Sequence, residues 1–196
     1  MKVVAISQRV DVFPERGESR DALDQRLVAF LLAAGCLPVP VPNGMCRRAL
    51  EDWLGAVAPR AILLSGGNDI GQCTTRDLTE GRLLEHARSA SLPVLGICRG
   101  MQMIAHWSGG ALKPVTGHVR VRHPLSGQIN VQVNSYHRLT LADCPDGFEV
   151  LARSEDGEIE AIRHASLSWE GWMWHPERED VFALHDLQRL KSLFGV

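Results

Sequence analysis

The chain has 196 residues, of which 45% are hydrophobic and 22% are charged. This is the composition of an ordinary globular protein near the usual size of one domain, so we expect residues 1–196 to form a single domain. The formal net charge of -2 provides no overall field that would attract nucleic acid, although His118, Arg120, Arg122 and His123 form a short basic stripe.

The cysteines and the apolar segments indicate the environment of the protein. Its five cysteines are an odd number without Cys-x-x-Cys spacing, which argues against a disulfide framework and against a zinc site. Free cysteines are typical of a reducing cytoplasm. No segment reaches the length of a membrane span, and the apolar run at the N-terminus is too short for a signal peptide. The sequence therefore predicts a cytoplasmic protein that contacts no membrane and uses no metal and no cofactor.

The first half of the chain alternates short aliphatic runs with helical patterns. Strands are predicted at residues 3–7, 37–41, 61–64 and 93–97. Apolar residues at helical spacing predict helices over residues 19–34, 75–89 and from 99 to about 108, two of them followed by a glycine. This βαβ rhythm predicts a central, mostly parallel sheet between two layers of helices.

The second half of the chain has a different pattern, with short alternating strands and few helices. Strands are predicted at residues 129–133, 158–162 and 172–174, followed by a final helix from about residue 180. We expect these strands to extend or cover the sheet as antiparallel additions. The predicted fold class is therefore an α/β three-layer sandwich.

Gly96, Cys98 and Gly100 form a Gly-x-Cys-x-Gly motif between a predicted buried strand and a helix. This is the layout of a nucleophile elbow, in which a sharp turn lifts a nucleophile clear of the sheet and the glycines prevent clashes. The N-terminus of the helix favours the thiolate form of a cysteine. Because open α/β sheets bind ligands beyond the carboxyl ends of their strands, Cys98 is the candidate nucleophile.

A thiolate that attacks an amide also needs a proton carrier and a group that stabilises the oxyanion. His175 follows the last apolar strand, and Glu177 lies two residues further on, where its carboxylate can orient the imidazole. The Ser-Gly-Gly turn after residue 64 lets main-chain N–H groups approach a substrate, so Gly67 and Arg99 are the candidate oxyanion donors. The side chains of Cys98, His175 and Glu177 therefore predict thiol-dependent cleavage of an amide.

Together, three segments of the chain resemble the class I glutamine amidotransferase superfamily. They are a Gly-Gly-x-Asp turn, a Gly-Ile-Cys-x-Gly-x-Gln elbow and a Trp-His-Pro-Glu ending, at residues 66–69, 96–102 and 174–177. The match follows the family order and spans most of the chain. The resemblance implies a flavodoxin-like fold, a γ-glutamyl thioester on Cys98 and release of glutamate.

The same resemblance implies a set of residues that contact the substrate. The segment from Asn134 to His137 is expected at the α-amino and carboxylate end of the glutamyl group. Its pattern is similar to the γ-glutamyl-γ-aminobutyrate hydrolase branch, although Arg138 and Leu139 stand where many members of that branch have His-Gln. The implied substrate-binding residues are Gln8, Arg9, Gly66, Asn68, Gln102, Asn134, Ser135, Tyr136 and His137.

The opening at residues 6–9 and the ending at residues 173–179 resemble the small γ-glutamyl-CDP-amidate hydrolases of capsular polysaccharide pathways. Those enzymes release glutamate and leave cytidine diphosphoramidate, so the resemblance implies a nucleotide-linked small-molecule substrate. A phosphoramidate leaving group predicts cations near Cys98. The candidates are Arg9, Arg99, Arg120, Arg122 and Arg138.

Two other functions remain open at this point. A glutaminase subunit that docks transiently on a synthase and delivers ammonia to it would carry the same motifs, and we expect no synthase domain within residues 1–196. A scaffold protein that kept the fold without turnover is the third alternative, but the intact Cys98, His175 and Glu177 argue against it. Hydrolysis without any partner distinguishes the free-standing hydrolase from both.

Overall fold

The computed structural model describes residues 1–196 and has a nine-stranded sheet at its centre. The strands in spatial order are β4 (Cys36–Pro40), β1 (Lys2–Ile6), β5 (Ala61–Leu64), β6 (Val94–Ile97), β13 (Trp169–Trp172), β12 (Ile159–His164), β11 (Phe148–Ser154), β8 (Val119–Gly127) and β9 (Gln132–Tyr136). The first five strands pair in parallel, and the following ones pair antiparallel. This confirms the predicted parallel core with antiparallel additions from the second half of the chain.

Helices cover both faces of the sheet, and four further strands form two small two-stranded sheets. The helices are α1 (Gln25–Ala33), α2 (Arg47–Val57), α3 (Thr74–Ser89), α4 (Arg99–Trp107) and α5 (Leu184–Phe194), with single 3₁₀ turns at Pro14–Arg16 and Pro176–Arg178. The small sheets pair β2 (Arg9–Phe13) with β3 (Glu18–Ala22) and β7 (Leu112–Pro114) with β10 (Leu139–Leu141). None of the helices is long and apolar enough to span a lipid bilayer.

The alternating direction of side chains along the buried strands explains why helices pack on both faces of the sheet. In β1, Val4 and Ile6 belong to one apolar cluster and Ala5 to another, because successive side chains of a strand point to opposite faces. The first cluster includes apolar residues of α1 and α5, and the second includes those of α2, α3 and α4. The sheet is thus packed on both sides, which confirms the predicted α/β sandwich.

The boundaries of several elements differ from the sequence predictions. The helix predicted from residue 19 begins at Gln25, because Glu18–Ala22 pairs with β2 and Asp24 caps the helix by accepting a hydrogen bond from the N–H of Arg26. The strand predicted at residues 129–133 lies at Gln132–Tyr136, where it pairs with β8. The final helix begins at Leu184 rather than near residue 180, after a 3₁₀ turn that contains Glu177.

The parallel topology brings the predicted motifs to one edge of the sheet. The order β4-β1-β5-β6-β13 is the 2-1-3-4-5 order of flavodoxin-like sheets. Parallel strands end at the same edge, so the turns after β5, β6 and β13 lie side by side. These turns carry the Gly66-Gly67 pair, Cys98 and His175 respectively.

Candidate active site

Cys98 occupies a strained turn between β6 and α4. Its backbone has φ 51° and ψ -105°, a conformation that residues with a side chain rarely adopt. Glycine is required on both sides: a Cβ on Gly96 would lie 2.4 Å from the carbonyl carbon of Gly100, and a Cβ on Gly100 would lie 2.1 Å from the carbonyl oxygen of Leu64. The turn therefore holds the thiol at the N-terminus of α4, as in a nucleophile elbow.

His175 and Glu177 form a buried pair beside this thiol. Nδ1 of His175 lies 2.6 Å from Oε1 of Glu177, so the imidazole donates to the carboxylate from that nitrogen. Burial of the ring disfavours its charged form, but the charge and hydrogen bond of Cys98 and those of Glu177 outweigh burial and raise the pKa of His175 to about 9. The ring therefore carries a proton at neutral pH.

Asn134 holds the backbone of His175 in place. Its Oδ1 accepts a hydrogen bond from the N–H of His175 at 2.9 Å, and its Nδ2 donates to the carbonyl oxygen of the same residue at 2.8 Å. The ring itself lies against Gly66, where a Cβ would lie only 2.8 Å from Cε1 of His175. The imidazole is thus positioned by the two hydrogen bonds between Asn134 and the backbone of His175 and by the close approach of the main chain at Gly66.

A buried ionic network supports the Gly66-Gly67 turn from below. Arg76 donates to the carbonyl oxygens of Ser65 at 2.7 Å and Gly66 at 3.0 Å, and its Nε donates to Glu80 at 2.9 Å. The guanidinium of Arg99 pairs with Glu80 and Asp77. Burial lowers the pKa of Arg76 to about 10 and that of Arg99 to about 9. The network fixes the turn relative to the start of α4.

A cavity of about 610 Å³ opens above the thiol. Gln102 reaches it, and the buried Oε1 of that amide has no hydrogen-bond partner while its Nε2 donates to Leu139. The lining residues are Gly67, Asp69, Cys98, Arg99, Gln102, Val119, Arg120, Tyr136, His137, Arg138, His175 and Arg178. The cavity thus combines the thiol of Cys98 with three exposed arginines, Arg120, Arg138 and Arg178, and with the unpaired amide oxygen of Gln102.

The structure brings only some of the predicted substrate residues into this cavity. Arg9 lines a neighbouring cavity of about 260 Å³ on the far side of the Gly66-Gly67 turn. Gln8 donates from its side chain to the carbonyl oxygen of Val41, and Asn68 exchanges two side-chain hydrogen bonds with the backbone of Val10. The last two side chains therefore serve the local structure around β2.

The segment from Asn134 to His137 is divided in the same way. The Ser135 hydroxyl is fully buried and donates to the carbonyl oxygen of His118. Tyr136 and His137 line the cavity, and the Tyr136 ring meets His175 edge-on at a centroid distance of 5.7 Å. The segment thus builds one wall of the cavity while half of its side chains hold that wall in place.

Only some of the arginines that were expected near Cys98 line the cavity. Arg120 and Arg138 line the cavity, whereas Arg122 pairs with Glu179 at 2.8 Å and the guanidinium of Arg99 is committed to the buried network. Sequence reasoning did not single out Arg178, whose guanidinium lies 4.5 Å from the centroid of the Tyr136 ring and lines the cavity. Its position directly after Glu177 was the available signal.

Taken together, the fold and this site define a class of protein. A strained thiol at a helix N-terminus, a protonated imidazole beside it and a carboxylate behind the imidazole are the groups that thiol-dependent acyl transfer requires. The class is that of α/β-fold hydrolases that cleave C–N bonds.

Comparison with known proteins gives the family. The family model for glutamine amidotransferase class-I matches residues 19–181, which include all three of the motifs above. The chain therefore belongs to the class-I glutamine amidotransferase family and is a C–N hydrolase.

Three relatives of this chain fall into two groups by name. The γ-glutamyl-CDP-amidate hydrolase of Campylobacter jejuni is 33% identical over 143 residues, which cover 70% of each chain. The glutamine-hydrolysing GMP synthase subunit of Methanothrix thermoacetophila is 35% identical over 150 residues, 69% of this chain and 82% of that protein. The corresponding GMP synthase subunit of Thermococcus kodakarensis is 34% identical over 135 residues, 62% of this chain and 68% of that protein.

Solved structures show the same fold. A protein of Thermoplasma acidophilum, described as a candidate GMP synthase subunit, superimposes with a TM-score of 0.77 over 100% of this chain and 93% of its own, at 18% identity. A glutamine amidotransferase of Thermotoga maritima gives a TM-score of 0.65 over 99% of this chain and 82% of its own, at 16% identity. Both support the fold alone.

Proposed function

We propose that this protein hydrolyses a γ-glutamyl amide through a thioester on Cys98. The sulfur attacks the γ-carbonyl carbon, His175 gives its proton to the departing nitrogen, and the C–N bond breaks. Water then attacks the thioester carbon while His175 takes a proton from it, the C–S bond breaks, and glutamate leaves with the thiolate of Cys98 restored. Glu177 keeps the imidazole oriented through both steps, and the N–H groups of Gly67 and Arg99 stabilise the oxyanion.

The substrate we propose is γ-glutamyl-CDP-amidate, which would give glutamate and cytidine diphosphoramidate for capsule phosphoramidate biosynthesis. The observation that carries this proposal is the arginine content of the cavity: Arg120, Arg138 and Arg178 line the same cavity as the thiol. Guanidinium groups are the preferred partners of phosphate oxygens. The Campylobacter jejuni relative of that name supports the same substrate.

The glutamyl end has its own candidate contacts. The free Oε1 of Gln102 is an acceptor that the α-ammonium group of a glutamyl substrate can fill. Asp69, which also lines the cavity, offers a carboxylate for the same group. These contacts would bind the acyl half and leave the arginines for the leaving group.

The test is a substrate panel with the purified chain alone. We expect glutamate release from γ-glutamyl-CDP-amidate with a kcat/KM at least about tenfold above that for glutamine or γ-glutamyl-γ-aminobutyrate, a difference of about 1.4 kcal/mol in transition-state binding.

Replacing Arg138 with Gln should raise KM for the nucleotide substrate more than for glutamine. An equal effect on all three substrates would contradict the proposed leaving group.

The nucleophile is tested separately. Cys98→Ser should abolish turnover with retention of the fold, and mass spectrometry of the wild type with a slow γ-glutamyl substrate should show an adduct on the peptide that contains Cys98. Cys46→Ser is the matched control, because Cys46 is an exposed free thiol directly before α2 and is not among the residues that line the cavity. An adduct on Cys73 instead would contradict the assignment.

A second candidate is a glutaminase subunit that delivers ammonia to a partner synthase. It is favoured by the two GMP synthase relatives, which are 34% and 35% identical to this chain. Under this alternative, glutamine is the substrate and its hydrolysis accelerates when the synthase is added. Turnover of γ-glutamyl-CDP-amidate by the isolated chain distinguishes the two functions.

All five cysteines are free, which supports a cytoplasmic location of the protein under either of the two functions.

A further inference from the structure

A cluster of metal-binding side chains lies behind one wall of the active-site cavity. His118, His123, His137 and Glu160 each direct one nitrogen or oxygen atom to a common point, and these four atoms lie within 4.8 Å of one another. We propose that this cluster is a binding site for a divalent transition metal ion, with Zn²⁺ as the best fit.

Three of the distances within the cluster are close to those between the ligands of a tetrahedral metal ion. Nδ1 of His118 lies 3.1 Å from Nε2 of His137, and both lie 3.2 Å from Oε1 of Glu160. Ligands at the usual zinc distances of about 2.0–2.1 Å stand about 3.3 Å apart in a tetrahedron. Nε2 of His123 lies 3.7 Å from Oε1 of Glu160 and is the fourth ligand.

An irregularity at the start of β8 brings His118, directly before the strand, and His123, within it, to the same side. Residues five apart in a regular strand point to opposite faces, so His118 and His123 would diverge. Here Val119 pairs with Tyr136 and Val121 with Ser135, which leaves Arg120 as an extra residue with φ 57°. This β-bulge re-aims the strand, so both imidazoles face Glu160 of β12.

The outer atoms of the cluster orient the inner ones. Nε2 of His118 donates to Asp156 at 2.9 Å, and Nδ1 of His137 donates to the carbonyl oxygen of Leu139 at 3.1 Å, because carboxylates and carbonyls only accept. Such partners typically fix metal-binding imidazoles in the required tautomer. The inner nitrogens of His118 and His137 therefore both present lone pairs, at a separation of 3.1 Å.

Two lone pairs at this distance require a cation between them. A proton meets part of the requirement, since the hydrogen bond to Glu160 raises the pKa of His118 to about 9. It leaves both nitrogens of His123 and Oε2 of Glu160 without hydrogen-bond partners, although the Glu160 side chain is fully buried. A metal ion at the common point coordinates His123 and joins all four side chains.

The ligand set indicates the kind of ion and its role. Imidazole nitrogens with one carboxylate suit zinc and its neighbours rather than Ca²⁺ or Mg²⁺. Four protein ligands leave no open position, which is typical of structural sites. The ion would tie β8 and the end of β9 to β12. Because His137 also lines the catalytic cavity, the ion would support the wall that carries Tyr136 and Arg138.

Metal content and coordination provide the test, with readouts other than hydrolysis. The full chain, purified without a metal-affinity tag, is stripped with a chelator and dialysed against Zn²⁺. We expect one equivalent of zinc per chain by inductively coupled plasma mass spectrometry, and an X-ray absorption spectrum with nitrogen and oxygen ligands and no sulfur. Zinc bound through sulfur would place the ion on cysteines and would overturn the proposal, as would less than stoichiometric uptake.

Variants locate the ion. Asp156→Asn alters a half-exposed side chain that orients His118 and accepts from the hydroxyl of Ser154 without being a ligand, so the protein should fold and bind Zn²⁺ about 10- to 100-fold more weakly. Glu160→Gln should weaken binding further, and His106→Gln, an exposed imidazole outside the cluster, should leave it unchanged. Wild-type zinc affinity in folded Asp156→Asn and Glu160→Gln proteins would refute the site.

Discussion

The approach of Gly66 to His175 is a steric condition for the proposed catalytic geometry. A Cβ at this glycine would lie 2.8 Å from Cε1 of the imidazole, closer than carbon atoms tolerate. The backbone of His175 cannot yield, because Asn134 holds it through both its N–H and its carbonyl oxygen. Any side chain at residue 66 must therefore turn the ring away from Cys98 or from Glu177.

We expect Gly66→Ala to lower kcat/KM for a γ-glutamyl substrate by about 100-fold, because a displacement of about 1 Å in a reacting group costs on that order. The measurement is the rate of glutamate release over a range of substrate concentrations. Gly55→Ala is the matched control, since a Cβ there meets nothing within 4 Å and alanine favours the interior of α2. Wild-type kinetics in Gly66→Ala would refute this role of the glycine.

The relative placement of side chains was predictable where adjacent residues determine it, and less so where it depends on residues distant in the sequence. The elbow around Cys98 and the His175-Glu177 pair follow from adjacent residues, and the structure brings them together as predicted. The cluster around Glu160 joins residues up to 42 positions apart and depends on the bulge at Arg120, which no sequence pattern indicated. The histidines of the basic stripe were therefore not recognised as ligands.

At the scale of elements, α3 and α4 are joined by buried charges. Glu80 of α3 accepts from Arg76 at 2.9 Å and from Ser7 at 2.7 Å, and it also pairs with Arg99 of α4. Arg76 and Glu80 lie four residues apart, a spacing that from sequence alone indicates a solvated helix face. The packing of α4 against this face converts the pair into an interior network, which is why Arg99 is unavailable as a substrate cation.

Glu80→Gln should destabilise the protein strongly, because it leaves the buried guanidinium of Arg76 without its carboxylate and that of Arg99 with Asp77 alone. Breaking a buried ion pair typically costs about 3–5 kcal/mol. The free energy of unfolding from urea titration measures the effect. Asp52→Asn is the control: Asp52 pairs with Arg48 across α2 at 4.0 Å, both side chains are exposed, and such pairs contribute little. Equal stability of the two variants would mean that the network contributes nothing to the fold.

At the scale of the whole molecule, the two halves of the sheet differ in how far the sequence specifies them. In the parallel half, strands alternate with helices along the chain, and that alternation predicts both the fold class and the order of the strands. The antiparallel half places β11 and β12 between β13 and β8, an order that depends on long-range pairing. Pairing with β8 also decides where β9 begins, which explains the displacement of that strand from its predicted position.

The stability of the whole molecule should depend on pH through a carboxyl group at the start of α5. Asp186 is buried and accepts from Nε1 of Trp174 at 3.3 Å, and burial raises its pKa from 3.8 to about 6. The folded state then binds this proton more tightly than the unfolded chain. The contribution of Asp186 is therefore most favourable at low pH and declines as the pH rises from about 4 to about 6.

Asp186→Asn removes this titration while keeping an oxygen for the indole of Trp174. We expect the loss of unfolding free energy between about pH 4 and about pH 7.5 to be smaller in the variant than in the wild type by about 2–3 kcal/mol. Urea titrations across that range measure it, and comparing the two proteins cancels the groups that they share. Asp146→Asn, at an exposed position, should follow the wild type within about 0.5 kcal/mol. Parallel curves for wild type and Asp186→Asn would show that the buried carboxyl group keeps its ordinary pKa.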